Sequence, residues 1–496
     1  MGELTRRAIL LAGGGIIGGI AGAKLSAKKP SLSGTRSLQP AGAPNTLNDA
    51  SQLSETPIFR HTVAVENPGD VLVDAIRREI TEASENKRAF NIGAARHSMG
   101  GHAIPSNGHA MTFENGFTQY RSHSNTYRAH AGARWSDVIA TLDPLGFGPK
   151  VMQSNNDFGV AATFCVNAHG WPAPHGPMGS TVRSLFIVRP DGELVRCSRT
   201  ENAPLFFATM GGYGLTGAII ELELDVEPNV NLEPTFLKIP AQEFAQFFVG
   251  AIDSGDVNMA YGRLNVDRDS FFEDAMLVTY RPAADQSVIV PAQGSGTLSQ
   301  LSRHVFRAQV NNEIAKDARW WFETGLGPMI SDGVVTRNSL LNEPVVTLDD
   351  NDPMRTDILH EYFVPPGRFN DFITACQEVI PSSYQELLNI TLRYVAADSE
   401  SILSYAPAPR IACVMLFSQE LTQRAEADHE RMTRDLIDRV LDLGGTYYLP
   451  YRPHATLDQF RRAYPNAEKF VEEKKFYDPD LVFRNGFWDR YLANMA

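Results

Sequence analysis

Two stretches of this chain carry residue types that could hold a charged ligand. The first is Gly93-Ala94-Ala95-Arg96-His97-Ser98-Met99-Gly100-Gly101. Small residues let backbone approach a ligand, and consecutive N–H groups in a turn form an anion nest. Arg96 adds a fork of donors suited to phosphate. On these residues alone, a glycine-rich surface turn with an incidental histidine is the favoured reading. The second stretch is Asn155 to Gly170, where Asn155-Asn156-Asp157-Phe158-Gly159 runs into Ala161-Ala162-Thr163 and Asn167-Ala168-His169-Gly170. It shows neither helical nor strand period and reads as a buried loop that lines a ligand. A long surface loop is the alternative, but its Ala, Val and Phe content favours burial. The glycine run Gly211–Gly217 precedes a strand rather than following one, so it fails the context of a dinucleotide fingerprint. Cys165, Cys197, Cys376 and Cys413 are far apart and show no CxxC spacing, so neither zinc nor a disulfide is expected.

Several elements must position these stretches. Val71, Leu72, Ala75, Ile76 and Ile80 follow Asn67-Pro68-Gly69-Asp70 at helical spacing after a cap. Phe90–Gly93 reads as a short strand that enters the first turn, and 127–133 as another strand. Ser184–Arg189 and Glu193–Cys197 flank Asp191-Gly192, a hairpin signal. Ala218–Val226 alternates apolar and acidic residues, as a half-buried strand does. From 229 to about 445, helices at Phe369–Ile380 and Thr422–Leu443 alternate with strands at Asn389–Val395 and Ile411–Phe417. The second helix ends at Gly444-Gly445. The last fifty residues are aromatic and charged.

Composition narrows the function classes. The chain has 496 residues, 43% hydrophobic and 21% charged, with a net charge of −13. That is globular usage, and a chain this acidic without basic clusters is a poor partner for nucleic acid. No apolar run approaches the ~18 residues of a membrane span. Thr5-Arg6-Arg7, a short apolar stretch and Ala21-Gly22-Ala23 make residues 1–23 a signal peptide of twin-arginine type, with an uncleaved anchor as the alternative. The expected location is periplasmic or secreted; an uncleaved N-terminus would hold the chain loosely at a membrane. Residues 24–56, rich in Ser, Pro, Ala and Gly, read as a linker.

The two ligand stretches, with Ser180–Leu185, Asp191-Gly192, Ser198–Asn202, Leu205-Phe206 and Gly211–Gly217, resemble the FAD-binding domain of the vanillyl-alcohol-oxidase (PCMH) superfamily. The resemblance covers about 57–230. Arg452-Pro453-His454, Asp478-Pro479 and Phe483-Arg484-Asn485 are similar to the end of sugar-lactone and alditol oxidases. Gly444-Gly445-Thr446-Tyr447-Tyr448 and Tyr464-Pro465 resemble decaprenylphosphoryl-ribose oxidase. The implied fold is α+β: a two-part PCMH-type FAD-binding domain at 57–230, an α+β substrate or cap domain at 231–445, and a C-terminal segment, 446–496, returning to the FAD domain.

The resemblance implies FAD as cofactor. It places Ala94, Ala95, Arg96, Ser98, Met99 and Gly100 around the pyrophosphate, with His97 at the position that bonds covalently to the flavin 8α-methyl in many members. Gly159, Ala162, Thr163, Asn167 and Gly170 then line the flavin and pyrophosphate, Asp157 lies beside them, and Ile219 meets the adenine side. Arg393 matches the cap-strand arginine of alditol oxidases, while Thr391 stands where their glutamate would be. The terminal lysine of the RPHWGK motif is absent after His454. The implied reaction is oxidation of a C–OH group of a small alcohol, sugar or lactone by hydride transfer to flavin N5. His454 is then the base, with Tyr448 or Tyr451 as its partner and Asp157 as a weaker candidate. Electrons pass to dioxygen, a quinone or a cytochrome. The competing readings are a flavin-dependent C=C reductase and a non-catalytic FAD-binding electron carrier.

Overall fold

A computed structural model of the chain describes residues 37–65, 69–293, 307–330, 333–344 and 352–496. The signal segment 1–23, the linker up to residue 36, and Asn67-Pro68 of the helix start lie outside the described residues.

The N-terminal half is built on two sheets. In the first, Arg60–Ala64 and Phe90–Ile92 both pair in parallel with the central strand His109–Phe113. The helix Asp70–Glu85 buries Leu72, Val73, Ala75, Ile76, Ile80 and Ala83. They meet Phe90 and Met111 of this sheet and Val188, Ala218 and Ile220 of the next. Each large aliphatic side chain so buried contributes about 1.5–3 kcal/mol, which fastens the helix between the sheets. The second sheet is antiparallel, in the order Leu194–Ser198, Val182–Val188, Ala218–Pro228, Thr126–His130, Thr118–Arg121. Its hairpin pairs Val188 with Leu194, and Gly192 takes a φ of +82° in the turn.

A single eight-stranded antiparallel sheet forms the other half. Its central strands are Met259–Leu264, Glu386–Val395, Arg410–Glu420 and Arg355–Val364, with Thr446–Tyr447 at one edge. Alternation along each strand gives the sheet two unlike faces. One face lies under the helices Phe244–Asp253, Phe369–Val379 and Gln423–Asp442: Leu264, Leu392, Tyr362 and Met415 share a core with Phe244, Phe372 and Leu436. The other face meets the N-terminal half, where Met259, Met276, Val278 and Tyr280 share a core with Leu222, Leu224 and Val226. Thr422 caps the long helix by accepting from the Ala425 N–H, and Gly444 follows it at φ +74°.

Two expectations are corrected. The described part of the supposed linker is packed rather than free. Thr46–Leu47 pairs with Thr56–Pro57, Asp49 accepts the Gly101 N–H at 2.7 Å, and Ser51 O accepts from Thr356 at 2.8 Å. Its short polar residues act as local hydrogen-bonding ties, which composition cannot separate from a tether. The supposed loop 155–170 contains the short helix Val160–Cys165, which buries Val160, Ala161, Thr163 and Phe164. The C-terminal segment lies against the FAD domain: the Phe90 N–H donates to Val482 O at 2.8 Å, and Asn485 donates to Tyr213 O at 2.9 Å.

Candidate functional site

A cleft of about 300 Å³ opens where the first turn, the helix Val160–Cys165 and the start of the strand Ala218–Pro228 converge. Small residues line much of it: Gly93, Ala94, Ala95, Gly132, Gly159, Ala162, Gly214 and Gly217. At Gly159 an added Cβ would already touch the Ala94 Cβ at 3.4 Å, so larger side chains there would fill the cleft. Arg96 takes the left-handed conformation at φ 53°, a backbone state found in anion nests. Its guanidinium donates to Thr112 Oγ1 at 3.0 Å, while its buried Nε has no partner among the described residues. Small walls that an added Cβ would fill suit the close approach of a dinucleotide pyrophosphate, so the site fits FAD. Ala94, Ala95, Gly159, Ala162 and Ile219 would hold it, with Asp157 on the same wall.

The remaining cofactor candidates lie off this wall. His97 and Ser98 are half-buried, and the His97 ring stacks on Phe158 at 4.2 Å. The N–H of Met99 is bound by Pro450 O at 2.7 Å, and its sulfur accepts from the Leu359 N–H. Gly100 leaves room for Pro453, whose Cδ would stand 2.8 Å from an added Cβ. Met99 and Gly100 therefore clasp the C-terminal segment. Thr163 accepts from Trp135 Nε1 at 3.1 Å. Asn167 joins Gly179 to Asp398, at 3.0 Å to each. Gly170 gives space to Met152 O. These three fix the loop behind the wall.

A second constellation sits where the cap sheet faces the FAD domain. Directly opposed residues in a sheet share a face. Glu361 lies opposite Val414, which lies opposite Thr391; two residues along, Phe363, Ala412 and Arg393 form the next row. Glu361 and Arg393 thus share one face. The Glu361 carboxylate pairs with His169 Nε2 and accepts from Tyr451 OH at 3.2 Å. Glu361 and His169 are both buried. A carboxylate only accepts, so this contact assigns the His169 proton to Nε2. His169 Nδ1 is buried and without a hydrogen-bond partner among the described residues. Arg393 Nε is likewise buried and unpartnered. Burial pulls the Arg393 guanidinium below its ordinary value, opposed by the Glu361 charge.

His454 is not part of this constellation. Its Nδ1 bonds Thr433 at 3.0 Å and its Nε2 bonds Glu426 at 2.9 Å. Thr433 and Glu426 belong to the helix Gln423–Asp442, on the far face of the cap sheet. There His454 neighbours His360 and His429. Burial pushes its imidazole below the ordinary value. With both nitrogens engaged and a sheet in between, His454 cannot serve as base beside Arg393. The tyrosines are corrected too. Burial pushes both phenols well above their ordinary value, so Tyr448 and Tyr451 stay protonated. Tyr448 OH donates to Val166 O at 2.8 Å and braces the loop, whereas Tyr451 OH reaches Glu361. Asp157 lies in the cofactor cleft rather than in the cap constellation.

The sequence reading missed Glu361 and left His169 without a role. The available signal was a charged pair, His360-Glu361, inside the otherwise apolar run Ile358 to Val364.

Comparison with known proteins bears on the cofactor half. Residues 71–198 match the family model described as an FAD binding domain. The chain is 29% identical over 167 residues to cytokinin dehydrogenase 5 of Arabidopsis thaliana, covering 31% of this chain and 30% of that protein. It is 27% identical over 244 residues to cytokinin dehydrogenase 8 of Oryza sativa subsp. indica, covering 46% and 44%. Against cytokinin dehydrogenase 10 of Oryza sativa subsp. japonica the figures are 36% over 95 residues, covering 19% and 17%. The chain thus matches less than half the length of these relatives. The family match holds the turn and the loop 155–170 but ends before Glu361 and Arg393.

Proposed function

The chain carries an FAD-binding domain of the PCMH type, and from that premise we propose that it oxidises a C–OH group of a small molecule at the Glu361–His169–Arg393 constellation. The observation that carries this reading is the free Nδ1 of a buried histidine whose other nitrogen is held by a carboxylate. That is the arrangement of a general base with its orienting acid. His169 Nδ1 takes the hydroxyl proton. Glu361 holds the ring in its tautomer and stabilises the imidazolium that forms, and Tyr451 fixes the second carboxylate oxygen. Arg393 orients the substrate oxygen as charge develops on it. Bound FAD would supply the hydride acceptor for the same carbon, so that the carbinol becomes a carbonyl once His169 holds the proton. Dioxygen, a quinone or a cytochrome then receives the electrons.

The second reading comes from the relatives, whose names make cytokinin their substrate. Anaerobic mixing of the yellow protein with a panel of hydroxy compounds and a cytokinin separates the two. Bleaching by a hydroxy compound supports the first reading; bleaching by the cytokinin alone overturns it. Bleaching by neither speaks for a flavoprotein without turnover.

Two further parts belong to this proposal. Attachment of FAD through His97 is supported by the place of its turn, with Ala94 and Ala95 on the cleft wall. Acid-precipitated protein is then expected to keep its yellow colour, and full release of flavin overturns the linkage. Export by the twin-arginine route is supported by Arg6-Arg7 before a weakly apolar stretch. Replacing both with lysine is expected to block export, and unimpaired export overturns that route.

A further inference from the structure

We infer that the substrate carries a carboxylate and that Arg263, acting with Arg393, receives it; the inference rests on the oxidative reading above and names the substrate class of that site. Arg263 stands on the strand Met259–Leu264, opposite Thr391, with Gly262 opposite Leu392. Thr391 and Arg393 share a face, so Arg263 and Arg393 are diagonal neighbours on it, at a spacing of roughly 7–8 Å between backbones. Long side chains bridge that gap. The face is fixed by Gly262, where an added Cβ would strike the Phe244 ring at 2.3 Å on the helix side. Arg263 therefore points toward the FAD domain.

Arg263 is braced before any ligand arrives. Its guanidinium donates to Thr391 Oγ1, and its Cζ lies 5.3 Å from the Tyr261 ring centroid. Tyr261 in turn packs edge-on against Trp171 of the FAD-domain loop, at 5.3 Å. Such bracing lowers the entropy lost on binding. Arg393 beside it keeps a buried Nε without a partner. The neighbouring carboxylate, Glu361, has both oxygens engaged by His169 and Tyr451.

Arg263 and Arg393 thus share a partly desolvated wall with Glu361, while the nearby Arg319 and Glu323 pair with each other at 2.7 Å, so the wall keeps an excess of one positive charge. Uncompensated charge in such a place is costly, and an incoming anion relieves it. A guanidinium fork matches a carboxylate with two parallel hydrogen bonds. A single excess charge suits a monoanionic carboxylate better than a phosphate dianion. The substrate class is a hydroxy acid whose C–OH lies within a few bonds of its carboxylate. Oxidation yields the oxo acid: the carbon loses a hydride to FAD, and the hydroxyl proton goes to His169 Nδ1.

Equilibrium titration of the FAD-containing protein with benzoate and with benzamide, read from the visible flavin spectrum, tests this without turnover. Benzoate is expected to shift the spectrum at least about tenfold more tightly than benzamide, the loss of ~1.4 kcal/mol or more that one charged contact carries. Arg263→Gln is expected to weaken benzoate by a similar factor while FAD content and melting temperature hold. Arg263→Lys, which keeps the charge without the fork, is expected to fall between. Equal binding of benzoate and benzamide by the unaltered protein overturns the inference, as does unchanged benzoate affinity in Arg263→Gln. Selective benzoate binding with no bleaching by any hydroxy compound would leave the anion site standing and remove the oxidative reading. Bleaching by neutral alcohols as readily as by hydroxy acids would do the reverse.

Discussion

The cap sheet carries a histidine–glutamate pair on each of its faces, and the two are not equivalent. Toward the FAD domain, Glu361 holds one nitrogen of His169 and the other has no partner among the described residues. On the helix side, Glu426 and Thr433 hold both nitrogens of His454, and the Arg452 guanidinium pairs with the same Glu426 carboxylate. On the proposed function, the same two residue types give a base in one place and a structural tie in the other. Chemistry follows from an unsatisfied atom at a wall, not from residue type. What separates the pairs is strand alternation: His360 and Glu361 are adjacent in sequence and face opposite sides.

This contrast can be broken experimentally, and the largest effect is expected at Glu361. Glu361→Gln is expected to slow flavin reduction by about 10²–10⁴-fold, the scale of lost general-base catalysis, without loss of FAD. Rapid-mixing absorbance under anaerobic conditions measures it, and an unaltered rate would show that His169 does not act as base. Arg393→Ala is expected to slow the same step by roughly 10²-fold, the scale of one lost oxyanion donor. FAD lost with unchanged kinetics would instead place Arg393 in cofactor binding.

On the other face the effect should appear in stability. Burial by itself would raise the Glu426 carboxyl, but the His454 hydrogen bond and the Arg452 charge outweigh it and hold it well below the usual range. Its folded value is depressed, so its stabilisation is present above the unfolded value of about 4.3 and fades as pH falls below it. Glu426→Gln is expected to cost about 1–3 kcal/mol at neutral pH, seen as a lower melting temperature. The gap to the unaltered protein is expected to begin closing below roughly pH 5 and to go on narrowing as pH falls toward the depressed folded value. A gap that widens on acidification would contradict the depressed carboxyl.

Much of the cofactor half was legible in the sequence because its signals are local. Glycine and alanine at a turn, Asp191-Gly192 at a hairpin and the alternation of Ala218–Val226 each speak within a few residues. Helix Gln423–Asp442 was equally plain, read as Thr422–Leu443 and closed by Gly444-Gly445. The cap constellation was not legible, because it joins residues far apart in the chain. His169 and Glu361 are 192 positions apart, and strand pairing brings Arg263 beside Arg393. His454 attracted attention through its motif, yet which side of a sheet a residue occupies depends on pairing that no short motif records. The described part of the linker misled for a related reason: Asp49 and Ser51 look solvated until their partners Gly101 and Thr356 are known.

The account turns on the claim that the FAD-facing pair does chemistry while the helix-side pair holds structure, and the histidines test it most directly. His169→Gln and His454→Gln, each loaded with FAD, are compared in anaerobic flavin reduction by a bleaching substrate and in thermal melting. The account predicts a crossed pattern: His169→Gln loses about 10²-fold or more in reduction rate with a nearly unchanged melting temperature, and His454→Gln loses stability with a nearly unchanged rate. A His454 variant that is slow and stable, beside a His169 variant that reduces normally, would contradict it.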